Sequence, residues 1–440
     1  MIDQRHDGTP SHFSGNFLLL RVAKPAKWNV LGRNVLLKII AEFSVMHTLL
    51  YILLCSNLVL ALPFLGKKTN YDEMTARKLL NMAAGAYGDQ QQACLNRTFP
   101  AHDAHVVVST TREDCDELDN TCESYIAASD AAKQLIIVFR GTKTKGQLLL
   151  EGLQSIQPGV DFFDMGSVNR YFMNGHLVLW PQVEQALQDP KYANYKVLFT
   201  GHSLGGALAA LAAARTAKQG FRRGDQITIY TFGEPRVGDA TFAANFDSMI
   251  KDSYRVVFRR DIVPHLPACV KDESWFGGGE ISRPCDANAK GKPYHHSTEI
   301  WYPDSMEHGS HYVECVGEPK GEDFTCSDKI KFHYDQSNSY VWDHRHYFTV
   351  KVPSYGKTGC DITQPEGKPG VLEQVMCFFT RSPDCEEHKL SLTNHSEVVP
   401  AEILNAPPPT TTEATSTTSK SSPGFIPFVV SALASIFKGR

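Results

Sequence analysis

The chain has 440 residues, with 44 Lys and Arg against 48 Asp and Glu, a formal net charge of −4, 42% hydrophobic and 10% aromatic residues. That balance suits a globular protein with a sizeable core and excludes disordered and fibrous classes. The slight acidity, with no basic patch interleaved with aromatics, gives no case for nucleic acid or another polyanion as partner.

Residues 1–45 show no domain-like pattern and read as an upstream extension, with translation expected to begin at Met46. The apolar run Leu49–Leu62 has the length of a signal-peptide h-region, with small residues at Val59 and Ala61 for cleavage, so residues 46–62 are expected to be a signal peptide. If the extension is translated, Arg33 and Lys38 precede an apolar stretch from Phe43 to Leu65 that could act as a signal anchor. Both readings place the main domain outside the cytoplasm. Of the 11 cysteines only Cys55 falls in this run, and the rest form an even set without C-x-x-C pairs. Such a set suits disulfides in an oxidising compartment rather than zinc, with Cys315–Cys326 the expected local bridge. Asn96-Arg97-Thr98 and Asn394-His395-Ser396 are glycosylation acceptors on that route.

A globular pattern begins near Tyr71, with a helix expected over Met74–Tyr87 and a strand over Leu135–Phe139 that ends in Arg140-Gly141-Thr142. The stretch Lys143–Ile156 spaces Leu148, Leu149, Leu150, Leu153 and Ile156 along one helical face. A helix around Trp180–Leu187 and a strand at Val197–Thr200 follow, and then Gly201-His202-Ser203-Leu204-Gly205-Gly206 opens a helix through Ala217. Further strands are expected at Ile227–Phe232 and Tyr254–Phe258. Alternating strands and helices imply a largely parallel sheet, which gathers reactive groups at the carboxyl ends of its strands. Thr142, Ser203 and the segment after Phe258 all fall there.

Strand, G-x-S-x-G turn and helix make Ser203 the candidate nucleophile, held in a strained turn with its hydroxyl above the sheet. The backbone N–H of Leu204, next in the chain, is the first oxyanion donor. A serine nucleophile needs a base and an acid that orients it, in this fold in the order serine, acid, histidine. Asp261, just past a strand in Arg259-Arg260-Asp261-Ile262-Val263-Pro264, is the expected acid. Tyr294-His295-His296-Ser297-Thr298-Glu299-Ile300-Trp301 supplies two histidines in the right place.

These motifs resemble the class 3, fungal-type triacylglycerol lipases: Gly201–Gly206 matches their nucleophile elbow, Phe232–Gly238 the following strand and loop, and Asp261–Pro264 the acid segment, while Val341–Phe348 resembles their closing segment. The His-His-Ser-Thr-Glu-Ile-Trp segment is most similar to secreted nematode members. The resemblance implies an α/β hydrolase, a central mostly parallel sheet with flanking helices and a helical lid, over residues 63–350. Family histidines stand four residues before a glutamate and six before an aromatic, so the resemblance points to His295 as general base, with His296 the alternative. His202 reads as a packing residue of the elbow, and His265, His344 and His346 as structural. The resemblance also implies that Thr142 supplies the second oxyanion N–H and that Leu149, Leu150 and Leu153 face lipid on the lid.

The expected function is hydrolysis of acylglycerols at an oil–water interface by a secreted serine lipase, through an acyl-enzyme and with no metal or organic cofactor. The alternatives are a phospholipase or feruloyl-type esterase on the same fold, or a non-catalytic lipid-binding surface protein. Residues 351–399 form a cysteine-containing extension, 400–424 a Pro/Thr/Ser-rich stalk and 425–440 an apolar tail. Peripheral or lipid-anchored membrane contact through that tail, hence retention at the cell surface, is the alternative to release.

Overall fold

The computed structural model of the protein describes residues 69–115, 121–142, 159–275, 279–317, 319–333 and 336–365. The chain divides into two units, Met1–Lys67 and Lys68–Arg440, and every described residue belongs to the second. The expected upstream extension, signal peptide, lid leucines, stalk and tail, together with Cys377, Cys385 and Asn394, lie outside the described residues.

An eight-stranded sheet runs in space in the same order as in the chain. Strands β1 (Val106–Asp114) and β2 (Thr121–Ser129) form an antiparallel hairpin that pairs antiparallel with β3 (Gln134–Phe139). From β3 the strands β4 (Lys196–His202), β5 (Ile227–Phe232), β6 (Asp252–Phe258) and β7 (Thr298–Tyr302) are parallel, and β8 (Val313–Cys315) closes the edge antiparallel. The inner strands read as near-continuous apolar runs because both of their faces are covered. Successive side chains take opposite faces. Ile137, Val197, Phe199 and Ile229 pack under helices α3 (Arg170–Gln188) and α4 (Leu204–Lys218), while Ile136, Val138, Leu198 and Phe232 pack under α1 (Glu73–Gly85) and α2 (Gln91–Thr98). Helix α5 (Ala240–Met249) follows β5, and α6 (Ser337–Arg345) and α7 (Val352–Lys357) come after the sheet is complete. This is the α/β-hydrolase architecture, with the carboxyl ends of β3, β4 and β6 at one edge.

The expected helix at Trp180–Leu187 begins earlier, at Arg170, because Asn169 caps its first turn by accepting from the Tyr171 N–H at 2.8 Å. Among the described residues four disulfides, Cys94–Cys360, Cys115–Cys122, Cys269–Cys285 and Cys315–Cys326, tie the fold, the last being the expected local bridge. Among the described residues no helix is long and apolar enough to cross a membrane.

Candidate active site

Strand β4 passes into α4 through a single residue, Ser203, at φ 60° and ψ −132°. A non-glycine residue there costs about 1–3 kcal/mol and persists only where its surroundings over-determine it. Here they do so by proximity. A β-carbon on Gly201 would stand 2.2 Å from the Gly205 carbonyl, and one on Gly205 would stand 2.2 Å from the Phe139 oxygen, so only glycine lets helix and strands close around the serine. The Ser203 N–H donates to the Phe232 carbonyl at 2.9 Å, and its own carbonyl accepts from Gly206 N–H at 2.8 Å. Its Oγ is buried with no hydrogen-bond partner. Leu204 is the first helical residue, and first-turn N–H groups have no partner within their helix and lie at the positive end of its dipole. Thr142 follows β3, half-buried; a β-carbon on Gly141 would lie 3.1 Å from Ser203 Cβ, so the backbone leading to Thr142 passes beside the serine.

Asp261, fully buried, stands in the tight turn after β6. Its carboxylate accepts from Val263 N–H at 2.8 Å, from the Tyr347 hydroxyl at 2.6 Å and from His344 Nδ1–H at 2.9 and 3.0 Å. The histidine oriented by the acid is therefore His344, and the expectation for His295 is corrected. His295 turns the other way: its Nε2–H donates to the Pro264 carbonyl at 2.5 Å. The alternative, His296, is committed elsewhere, with Nδ1 2.6 Å from Ser297 Oγ and Nε2 2.8 Å from Glu234. The spacing from His295 to Glu299 and Trp301 belongs to the sheet: Glu299 accepts from Ser327 N–H, and Trp301 Nε1–H donates to the Arg259 carbonyl. A usable signal lay in the closing segment Val341–Phe348, where His344 sits in the last turn of α6. His344 Nε2 is buried and without a partner, as is Ser203 Oγ.

Further side chains hold the position of His344 and of its carboxylate partner. His202 stacks on its ring, with centroids 4.7 Å apart, and donates Nε2–H to the His344 carbonyl at 2.7 Å. His202 Nδ1 then accepts from the Tyr87 hydroxyl at 2.8 Å. Burial, with His344 beside it, holds His202 well below the usual histidine range, so it serves as a neutral spacer. The elbow histidine, expected only to pack, thus also hydrogen-bonds the backbone of the pair. Burial and the Asp261 charge push the Tyr347 phenol well up, keeping it a donor to that carboxylate. Asp343, whose Oδ2 accepts from Arg260 N–H at 3.2 Å, is pushed up to about 8, by burial first and partly by Asp261. Elsewhere two groups bring cysteine sulfurs against carboxylates, Cys269 and Cys285 with Asp328, and Cys315 and Cys326 with Glu299. All four sulfurs are in disulfides and have no thiolate to offer a metal.

Residues 136–271, from β3 through the acid turn, match the family model for lipase (class 3). Lipase ZK262.3 of Caenorhabditis elegans is 45% identical over 338 residues, covering 76% of this chain and 96% of its own length. A secreted mono- and diacylglycerol lipase of Fusarium solani is 31% identical over 168 residues, 36% of this chain and 49% of its own. A Rhizomucor miehei lipase–propeptide complex shares the fold, with a TM-score of 0.50 and 23% identity over 65% of this chain and 81% of its own. The chain belongs to the class 3 lipase family and is a carboxylic ester hydrolase.

Proposed function

We propose that the protein is an exported serine lipase acting on acylglycerols through Ser203, His344 and Asp261. The observation that carries this reading is the Asp261–His344 pair, its outer nitrogen unpartnered at the same sheet edge as a serine in a strained elbow. In this reading His344 Nε2 takes the proton from Ser203 Oγ as the oxygen attacks the ester carbonyl, and then gives it to the leaving alcohol. Water, deprotonated by the same nitrogen, hydrolyses the acyl-enzyme. The N–H groups of Leu204 and Thr142 receive the oxyanion. Mono-, di- or triacylglycerol is the substrate class, supported by the family and by the name of the Fusarium relative. The leucines Leu149, Leu150 and Leu153 would meet the oil surface.

Four disulfides support passage through an oxidising compartment, consistent with a signal peptide at 46–62. Asn96, exposed on α2 and followed by Arg97 and Thr98, is the proposed glycan acceptor within the described residues. We keep residues 63–350 as the catalytic domain, 351–399 as its extension, 400–424 as a stalk and 425–440 as a tail for the cell-surface alternative.

The test is hydrolysis of emulsified triacylglycerol by the secreted protein and its Ser203→Ala variant. Fatty acid release that disappears in the variant supports the reading. Release from neither acylglycerols nor soluble esters by the unmodified protein overturns it.

A further inference from the structure

The segment after Asp261 runs through a 3-10 turn at Val263–His265, and its backbone carbonyls are engaged by two buried residues, His295 and Arg236. Four consecutive carbonyls are taken. Pro264 accepts from His295 Nε2–H at 2.5 Å, His265 from Arg236 Nη1–H at 2.7 Å, Leu266 from the Arg236 backbone N–H at 2.8 Å and Pro267 from Arg236 Nη1–H at 3.3 Å. The two donors share one carboxylate. Glu322 receives Arg236 through both oxygens, at 2.7 and 2.9 Å, and accepts from the His295 N–H at 2.9 Å, while Asp328 adds a contact to Arg236 at 3.1 Å. Arg236, Glu322 and His295 are all essentially excluded from solvent.

We infer that His295 and Arg236 are positioning residues: they hold the turn that carries Asp261 from behind, so that its carboxylate meets His344 Nδ1 in register. This rests on the triad reading above. His295 has the chemistry for the task. Burial, then the charges of Arg255 and Arg236, keep its imidazole neutral, so it has one N–H, and that N–H is spent on Pro264. A neutral imidazole donates without bringing a further buried charge next to two guanidinium groups. The acid end of the turn is set locally, by Asp261 N–H to Phe258 O at 2.9 Å and Val263 N–H to the Asp261 carboxylate, which leaves the clamp to fix the other end. Misplacing a catalytic group by about 1 Å costs up to roughly 100-fold in rate.

The experiment compares His295→Leu, His295→Gln and His344→Ala in the full chain. It measures kcat, KM and the pH profile of kcat/KM on a soluble short-chain ester, with stoichiometric labelling of Ser203 by a fluorophosphonate and thermal unfolding to establish intact protein. His295→Leu is expected to lower kcat about 10- to 100-fold with KM within about twofold. It should also move the acid limb to lower pH, because a less well-held Asp261 stabilises the His344 imidazolium less. His295→Gln, which keeps a donor, is expected to recover most of kcat and of the limb. If the leucine variant does not accumulate folded, His295→Met, which likewise lacks a donor, takes its place beside the glutamine variant, with the same expected and overturning results. Wild-type kinetics in both His295 variants overturn the clamp, as does a loss in both as deep as that of His344→Ala, which would make His295 the base. Full activity in His344→Ala sinks the triad reading instead, and so is told apart from failure of the clamp.

Discussion

Among the described residues two fully buried histidines stand within 3 Å of a fully buried carboxylate, His344 with Asp261 and His296 with Glu234, and by distance they look alike, at 2.9 and 2.8 Å. Their surroundings differ. In the first the ring is aligned for hydrogen bonds to the carboxylate and its outer nitrogen has no partner. In the second Nε2 faces Glu234 without hydrogen-bond alignment, Nδ1 is held at 2.6 Å by Ser297 Oγ, itself bonded to Ser253, and Phe246 packs on the ring with centroids 4.0 Å apart. A buried pair is chemically useful when one nitrogen is left over beside a nucleophile. When the ring is boxed in between a carboxylate, a serine hydroxyl and a phenylalanine, the same residues are scaffold.

Substitutions at the first pair and its serine should therefore have the largest effect, and on rate. Ser203→Ala and His344→Ala are each expected to lower kcat by roughly 10^4- to 10^6-fold, with the double variant no worse than either alone, since the groups act as a unit. Asp261→Asn is expected to cost about 10^4-fold by favouring the wrong tautomer of His344. Steady-state hydrolysis of a soluble ester measures all of these, and a His344→Ala enzyme within tenfold of wild type would erase the distinction between the pairs.

Glu234→Ala is the converse. Leaving His296 buried without its carboxylate should destabilise the protein by about 3 kcal/mol, the usual cost of breaking a buried pair, while kcat measured well below the unfolding midpoint stays within about threefold. Urea unfolding followed by fluorescence, with kcat beside it, separates the two effects. A larger fall in rate than in stability would move Glu234 into the catalytic machinery.

The two pairs also mark how far the sequence could be read. The largely parallel sheet and the elbow turn were legible because each is fixed locally: apolar runs buried on both faces read as parallel strands, and Gly201 and Gly205 are dictated by contacts under 2.5 Å that no other residue tolerates. The histidine that meets the Asp261 carboxylate was not, because 83 positions separate Asp261 from His344, with two disulfide-closed loops between them. Over that distance a spacing rule selects a residue by its neighbours in the chain. His295 and Trp301 are bonded to the Pro264 and Arg259 carbonyls on either side of Asp261, so the motif led to the turn but not to the imidazole that meets its carboxylate. The hairpin β1–β2 and strand β7 went unread because their burial depends on helices and strands remote in sequence.

The Cys94–Cys360 bridge sharpens the comparison from outside both pairs. It closes a separation of 266 residues and fastens the segment after α7 to α2, a short distance in the chain past His344. Replacing both cysteines by alanine is expected to cost about 2–5 kcal/mol of stability. Because α6 is held to the acid turn by Asp261 and by Asp343, kcat at low temperature should remain within a fewfold of wild type. A collapse of kcat in a still-folded variant would show that the geometry of His344 depends on the bridge.

His176 completes the series as a buried histidine with no carboxylate at all. It lies in α3 against Phe162 and Trp180, and neither ring nitrogen has a hydrogen-bond partner. Burial, and to a lesser degree Arg215, pushes it down to about 3. A histidine that titrates near 6.5 when unfolded and near 3 when folded contributes fully above 6.5 and draws stability away as the pH falls toward 3, because only the unfolded chain takes up the proton. His176→Leu removes both the unsatisfied donor and that proton uptake. It should stabilise the protein by about 1 kcal/mol at pH 7.5, with a larger gain at pH 5, and leave kcat unchanged. Urea unfolding at the two pH values measures it. Equal gains at both would mean that His176 does not carry the acid sensitivity, and a loss at both would mean that its ring nitrogens are satisfied in solution, which would bring it closer to His296 than its surroundings indicate.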